Sequence, residues 1–269
     1  MNWVNHIFDE EWSIRSAGGL TGEALFAKRE NKQLFLKRNT TPFLAVLSAQ
    51  EIVPKLIWTK RLHNGDVITA QKWVEGRKLS KEEMYNKDVL QTIKKIHHSP
   101  ELLHMLMRLG KTESSTTNDF AELKAHCFYN GLDGEAVVYR SLMQLKALLP
   151  ATKQQEQAVC HCDLNHNNFM YDEVGKLYLV DWDQASIADP AKDYGNFLYY
   201  YIAENDWKDW LYAYGVEIND ALLRRIYWYI LYEVLSYVVW HKERREERFL
   251  QARMKELQHL EIKIKEKLF

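Results

Sequence analysis

The chain has 269 residues, and 36 Lys+Arg against 37 Asp+Glu leave a formal net charge of −1. At roughly 150 residues per domain this length gives two units or one two-lobed domain, and 46% hydrophobic with 27% charged residues excludes a disordered chain. Eleven Gly and five Pro exclude collagen-like and linker-rich readings, and the balanced charge excludes a general nucleic-acid binder, which needs a basic surplus.

The chain begins β-rich. Strands are expected at 12–17, 23–28 and 33–38, with a glycine turn at Gly18-Gly19-Leu20-Thr21-Gly22 between the first two and a polar hairpin turn at 29–32. Thr41-Pro42 opens a short helix whose Phe43, Leu44, Val46 and Leu47 pack on the sheet, and Pro54 ends it. Two further strands, 55–61 and 66–73, flank a turn at His63-Asn64-Gly65. After Gly76 the pattern turns helical. Residues 89–109 read as one helix ending at Gly110, 111–118 as a loop, and 120–128 and 135–149 as helices. These patterns predict an α+β chain: a β-rich part over 1–75 and a mainly helical part over 76–269.

Three cysteines, Cys127, Cys160 and Cys162, make no disulfide framework and read as reduced thiols of a cytoplasmic protein. Met1 to Trp12 has no signal-peptide pattern. The aromatic run 226–240 is shorter than a membrane span and contains Glu233, so it reads as a buried helix and no transmembrane segment is expected. Leu250, Met254, Leu257, Leu260, Ile264 and Leu268 mark the apolar stripe of a last helix.

Chemistry concentrates between His161 and Asp193. His161, Asp163 and Asn168 share a polar loop. Two short apolar runs, 158–160 and 177–180, each lead into acidic residues, the second ending at Asp181 with Asp183 two positions on. The spacing permits a hairpin that returns Asp181 beside Asn168. An Asp and an Asn oxygen suit Mg²⁺ together with substrate phosphates, and a second carboxylate can take the proton of an attacking hydroxyl. A zinc site at Cys160-His161-Cys162 is a rival, but it needs four ligands and no second pair lies near in sequence.

The pattern H-x-D-x-x-x-x-N, an apolar strand ending Asp181-Trp182, and A-D-P-x-x-D at 188–193 resembles the aminoglycoside phosphotransferase and choline/ethanolamine kinase superfamily. The run from Gly18 to about Tyr200 is similar in particular to the CcrZ/YtmP subgroup of bacterial cell-cycle regulators. The resemblance implies a bilobed protein-kinase-like fold, with ATP and Mg²⁺ as cofactors and a hydroxyl on a small acceptor. It also implies a cell-division protein partner with recruitment to the division site. It makes Asp163 the catalytic base, Asn168 and Asp181 the metal ligands, and His161 a loop anchor. Asp189 and Asp193 hold the catalytic loop or cap a helix. Gly18, Gly19, Thr21 and Gly22 cover the ATP phosphates, Lys37 pairs with them, and Glu51 is the only acid placed to partner Lys37 from the first helix. Gln71, Trp73 and Val74 match the adenine-binding hinge. Asp183 touches metal or substrate, or caps.

Only a short segment separates Asp181 from Asp189, which leaves no platform for a peptide and favours a small acceptor. Tyr227, Trp228, Tyr232, Tyr237 and Trp240 with Glu233 suit a quaternary-ammonium cage, a stacked sugar or base, or plain core. Glu204, Asp206 and Asp209 offer a weak acidic cleft for an aminoglycoside. A pentose or nucleoside is the first expectation. Choline, ethanolamine, an aminoglycoside, or a pseudokinase scaffold are the alternatives.

Overall fold

A computed structural model describes residues 7–18 and 24–269; Gly19, Thr21 and Gly22 of the glycine turn lie outside the described residues. In chain order come β1 (Ser13–Ser16), β2 (Ala24–Arg29), β3 (Lys32–Arg38), α1 (Phe43–Ala49), β4 (Leu56–Arg61), β5 (Val67–Lys72) and β6 (Gly76–Lys78). The helices α2 (Lys87–His97), α3 (Pro100–Arg108), α4 (Thr116–Tyr129) and α5 (Ala136–Leu148) follow. Four short strands, β7 (Ala158–Cys160), β8 (Phe169–Asp172), β9 (Leu177–Leu179) and β10 (Ser186–Ala188), precede α6 (Ala191–Tyr201), α7 (Trp207–Tyr214), α8 (Asp220–Glu243) and α9 (Glu247–Leu268). The fold is α+β, with an antiparallel sheet early in the chain and helices dominating later.

Contacts divide the chain into two units. The first comprises the described residues of Met1–Thr92, Pro100–Gly110 and Asn165–Gln184; the second comprises Ile93–Ser99, Lys111–Leu164 and Ala185–Phe269. A single break near residue 75 is therefore not how the contacts group. The β8–β9 hairpin joins the first unit because β6 pairs with β8, Gly76 opposite Asp172. Gly76 is required there: a Cβ would collide with the Tyr171 carbonyl oxygen.

In the first unit five antiparallel strands run in the order β1-β2-β3-β5-β4. Period-two alternation puts Leu25, Ala27, Leu34, Leu36 and Ala70 on one face, covered by Phe8, Trp12, Ile14 and Trp58. The β2–β3 hairpin turns at Glu30, whose φ is 49°, and its register sets Ala24 opposite Lys37. α1 starts at Pro42, where a missing N–H costs nothing, and buries Phe43 and Leu47. The single helix expected over 89–109 is two helices. Pro100 is the first residue of α3, since its ring disfavours helical backbone at Ser99 before it.

In the second unit α8 is the central element. Ile226, Tyr227, Trp228, Ile230, Leu231, Val234, Leu235 and Val238 are fully buried on it, and each apolar side chain so removed from water contributes up to about 1.5–3 kcal/mol. Asn219 caps α8 by accepting the Leu222 N–H at 2.8 Å. α9 lays Leu250, Leu257, Leu260 and Ile264 against the unit. Ser115 caps α4, which opens at Thr116 inside the stretch expected to be loop. β7 and β10 form a two-stranded antiparallel sheet with Cys160 opposite Ser186. No helix among the described residues is long and apolar enough to cross a membrane.

Candidate active site

In the first unit, Lys37 sits on a central strand, opposite Ala24 of β2 and Thr69 of β5. Its Nζ lies 2.8 Å from Asp183 Oδ2 and 3.3 Å from Asp181 Oδ1. Burial opposes the charged ammonium. The hydrogen bond and charge of Asp183, then the charge and hydrogen bond of Asp181, outweigh it and hold Lys37 above the ordinary lysine pKa.

The two carboxylates do not continue β9, which ends at Leu179. Asp181 has φ 66°, a left-handed conformation that costs a non-glycine residue about 1–3 kcal/mol and persists where its surroundings enforce it. Trp182 supplies that enforcement: its Nε1–H donates to the Leu179 carbonyl at 2.8 Å, and its ring packs edge-on against Phe43 of α1 at 5.7 Å. Asn168 is buried, not the solvated loop residue its polar neighbours suggest. Beyond the Phe169–Leu179 pair, the Val180 N–H donates to the Asn168 carbonyl at 2.8 Å. Asn168 and Asp181 therefore stand at the same end of the β8–β9 hairpin, and both offer hard oxygen donors of the kind Mg²⁺ takes.

Glu51 is placed elsewhere. α1 ends at Ala49, Glu51 has φ 58°, and its carboxylate pairs with Lys176 at 3.1 Å; the ion-pair partners of Lys37 are Asp181 and Asp183. Gly18 has φ 90°, and its N–H donates to Ser16 Oγ at 3.2 Å. Gln71 is buried within β5, its side chain donating to the Pro54 carbonyl at 2.8 Å. The Trp73 N–H donates to the Gln33 carbonyl at 3.1 Å, and its ring meets Phe26 edge-on at 4.6 Å, so that N–H is already engaged. Trp73 and Val74 also line a cavity of about 1110 Å³ with Trp12, Trp58, Lys176 and Tyr178. Lys37, Asn168 and Asp181 do not line it.

In the second unit, His161 and Asp163 follow β7. The carboxylate of Asp193, on α6, accepts the His161 N–H at 2.7 Å and the Cys162 N–H at 2.8 Å. Those two bonds hold the turn at Cys162, whose φ is 64°, immediately before Asp163. Asp193 is itself fixed by His97 Nε2 at 3.1 Å, and His97 Nδ1 meets the Tyr214 hydroxyl at 2.8 Å. Burial pushes Asp193 up, but the hydrogen bond and charge of His97, the charge of His161 and the Cys162 N–H bring it below the ordinary carboxylate range.

The two downstream aspartates thus divide their roles. Asp193 holds the loop. Asp189 caps α6 by accepting the Ala191 N–H at 2.9 Å and pairs with Arg225 at 3.2 Å. Burial raises the Asp189 pKa against the pull of Arg225. His97 and Tyr214 carry no motif. The one trace is that His97 shares a helical face with Ile93, a polar group on a buried stripe.

Burial pushes the Cys160 thiol well up and the Cys162 thiol to about 11. Cys162 Sγ lies 3.1 Å from Ser186 Oγ, and Cys160 Sγ points to the Asp189 carbonyl at 3.5 Å. Of the acids suggested for an aminoglycoside cleft, Glu204 pairs with Lys263 and Lys267, each at 2.7 Å.

Known proteins share this architecture. The choline kinase LicA from Streptococcus pneumoniae matches with TM-score 0.71 at 16% identity, covering 97% of each chain. The GDP complex of aminoglycoside 2'-phosphotransferase-IIIa matches with TM-score 0.69 at 14% identity, covering 97% of this chain and 96% of that one. A choline/ethanolamine kinase family protein from Mesorhizobium loti matches with TM-score 0.63 at 16% identity, over 92% and 87%. The model of the phosphotransferase enzyme family matches residues 19–229, from the glycine turn through the middle of α8. That match covers well over half of the chain, and the chain belongs to the phosphotransferase enzyme family.

Proposed function

We propose that the protein is an ATP-dependent small-molecule kinase that transfers the γ-phosphate to a hydroxyl of a pentose or nucleoside. The observation that carries the reading is Lys37 drawn onto Asp181 and Asp183 at 3.3 and 2.8 Å, with Asn168 at the same hairpin end as Asp181. A cation and hard oxygen donors are thereby gathered for a polyphosphate. LicA, a structural relative, is known in complex with AMP, and another relative with GDP, which supports nucleotide use.

In this reading Asp163 accepts the proton of the acceptor hydroxyl as its oxygen forms the new bond to the γ-phosphorus. The bond from that phosphorus to the β,γ-bridging oxygen breaks, and ADP leaves with the electron pair. Lys37 holds α/β-phosphate oxygens. Asn168 and Asp181 would hold Mg²⁺, which supplies charge neutralisation on the phosphates. The Asp193 strap orients Asp163, so little rearrangement is needed at reaction. The chain passes from Asp183 to β10 within a few residues, leaving no peptide platform and favouring a small acceptor.

The similarity to the CcrZ/YtmP subgroup extends the reading to bacterial cell-cycle control, in the cytoplasm, through a cell-division protein that recruits the enzyme to the division site. A fluorescent fusion that stays diffuse through division would sink that extension.

The catalytic reading is tested with labelled ATP and Mg²⁺ against ribose, deoxyribose, nucleosides, choline, ethanolamine and kanamycin. Label on a pentose or nucleoside is expected. Tight ATP binding with label on none would replace the kinase by a nucleotide-binding scaffold.

A further inference from the structure

Residues 24–81 hold twelve Lys and Arg against four Asp and Glu, whereas the whole chain is balanced at 36 against 37. A local surplus of this kind marks a surface that attracts anions. Part of it stands around the cavity of the first unit. Leu34 and Leu36 of β3 and Ala70 of β5 belong to the sheet face covered by Phe8, Trp12 and Trp58, and Lys37 alternates to the opposite face. Lys72 is opposite Leu34 and shares the face of Ala70, while Lys32 shares the face of Leu34. The Lys72 N–H donates to the Lys55 carbonyl at 2.8 Å, which sets those two lysines across from each other at the end of β5. Lys32, Lys55 and Lys72 thus form a row over three neighbouring strands. All three are exposed and have no ion-pair partner among the described residues.

Lysines on an edge strand guard it against pairing with another chain, which accounts for Lys60 on β4. It does not account for Lys32 and Lys72, because β3 and β5 are interior strands of the sheet. Like charges facing across strands repel, and an anion lying over the row relieves that repulsion. The row lines the cavity of about 1110 Å³ together with Trp12, Trp58 and Tyr178, a space large enough for a nucleotide. Phe8 joins the two tryptophans, its ring 4.9 Å from Trp12 and 6.1 Å from Trp58. Two of the four acids on the cavity wall are engaged: Glu51 with Lys176 at 3.1 Å, and Asp172 with the N–H groups of Val174 and Lys176 at 3.1 and 2.7 Å. The other two, Glu75 and Glu173, lie outside the five-stranded sheet, after β5 and in the β8–β9 turn.

Cations in a row beside aromatic rings suit a ligand with phosphates at one end and a planar base at the other. We propose that this cavity is a second nucleotide site, on the sheet face opposite Lys37, with the phosphates on Lys32, Lys55 and Lys72 and the base against Trp12 and Trp58. It is additional to the ATP site of the kinase reading and does not depend on it.

The test is equilibrium dialysis of the full chain at low salt with Mg²⁺ and a labelled, non-hydrolysable ATP analogue. Wild type is expected to bind two molecules per chain, and Lys37→Met and Lys72→Glu one each, at different sites. Lys55→Glu and Lys72→Glu should each weaken the second site about tenfold or more. Trp58→Leu should weaken it about tenfold. If that variant does not fold, the two lysine variants decide, since the nucleotide still held beside Lys37 reports a folded chain. In Lys37→Met, adenosine and pyrophosphate should each displace the analogue about tenfold less well than ATP, because each offers half of the ligand. One molecule per chain in wild type that Lys72→Glu leaves in place overturns the inference, as does a second molecule that survives both lysine variants. Pyrophosphate competing as well as ATP overturns the nucleotide assignment, and so does a short DNA single strand that outcompetes ATP. Binding that Lys72→Glu abolishes and Lys37→Met leaves unchanged overturns the ATP site of the kinase reading and leaves this inference standing.

Discussion

Lys37 and Asp183 stand 146 residues apart in the chain and 2.8 Å apart in the fold. α1 contributes no acid to this lysine, because Glu51 is turned to Lys176, and the pair is made instead within the segment that carries Asp181. Asp183 is therefore expected to set the lysine's position. Asp183→Asn should weaken nucleotide binding about 5–10-fold by letting Lys37 settle on Asp181, and Lys37→Met should lower kcat/KM about 100-fold or more. Equilibrium titration with a fluorescent ATP analogue separates the two. Asp183→Asn binding as tightly as wild type would contradict the positioning role.

The two proposed chemical roles separate by readout. Asp163→Asn should abolish turnover and leave nucleotide affinity within about twofold, since it removes only the proton acceptor. Asp181→Ala should lose the magnesium dependence of nucleotide affinity. Equal affinity for Asp181→Ala and wild type across a magnesium titration would remove Asp181 from the metal site.

The buried Asp193 is expected to be structural and catalytic at once. Asp193→Asn turns an amide toward two backbone N–H donors and removes the charge that His97 faces, costing about 3 kcal/mol in chemical denaturation. Tyr214→Phe removes one hydrogen bond and should cost about 1 kcal/mol. Because the folded pKa of Asp193 is depressed, its contribution is complete above the unfolded carboxylate range and is lost as pH falls through the folded value. Asp193→Asn should flatten that acid limb. A wild-type-like acid limb in the variant would show that the strap carries no linkage.

Glu204 provides a second acid-sensitive tie. Burial works against its charge, but hydrogen bonds from Lys263, Lys267 and Tyr227 bring its pKa to about 2 from 4.5. Its contribution is present above about pH 4.5 and disappears as pH falls towards about 2. Glu204 is partly exposed, so screening limits the expected loss in Glu204→Gln to about 1 kcal/mol at neutral pH. Thermal melts from pH 7 down to pH 2 should converge for the two proteins at the acid end; a constant gap would contradict the assignment.

The order of elements was legible because it rests on local signals. Alternation built β2, β3 and β5, Pro42 marked the start of α1, and three- and four-residue steps marked α9. The motif spacing from His161 through Asp181 is the basis on which the phosphotransferase chemistry is proposed for that segment. Local rules failed where a nearby residue overrode the pattern, as at Pro100, which splits one apolar stripe into two helices, and at Asp181, whose left-handed turn replaces the expected strand.

The sequence by itself determined which side chains carry oxygen, charge and apolar surface, and in what order. Tertiary structure alone decided whom they meet: Lys37 with Asp183 rather than Glu51, Asp193 with His97 across 96 residues, and Tyr227 and Trp228 of α8 with the core. Those choices depend on burial and on Coulomb energies between distant segments, which compete only once the chain has closed on itself.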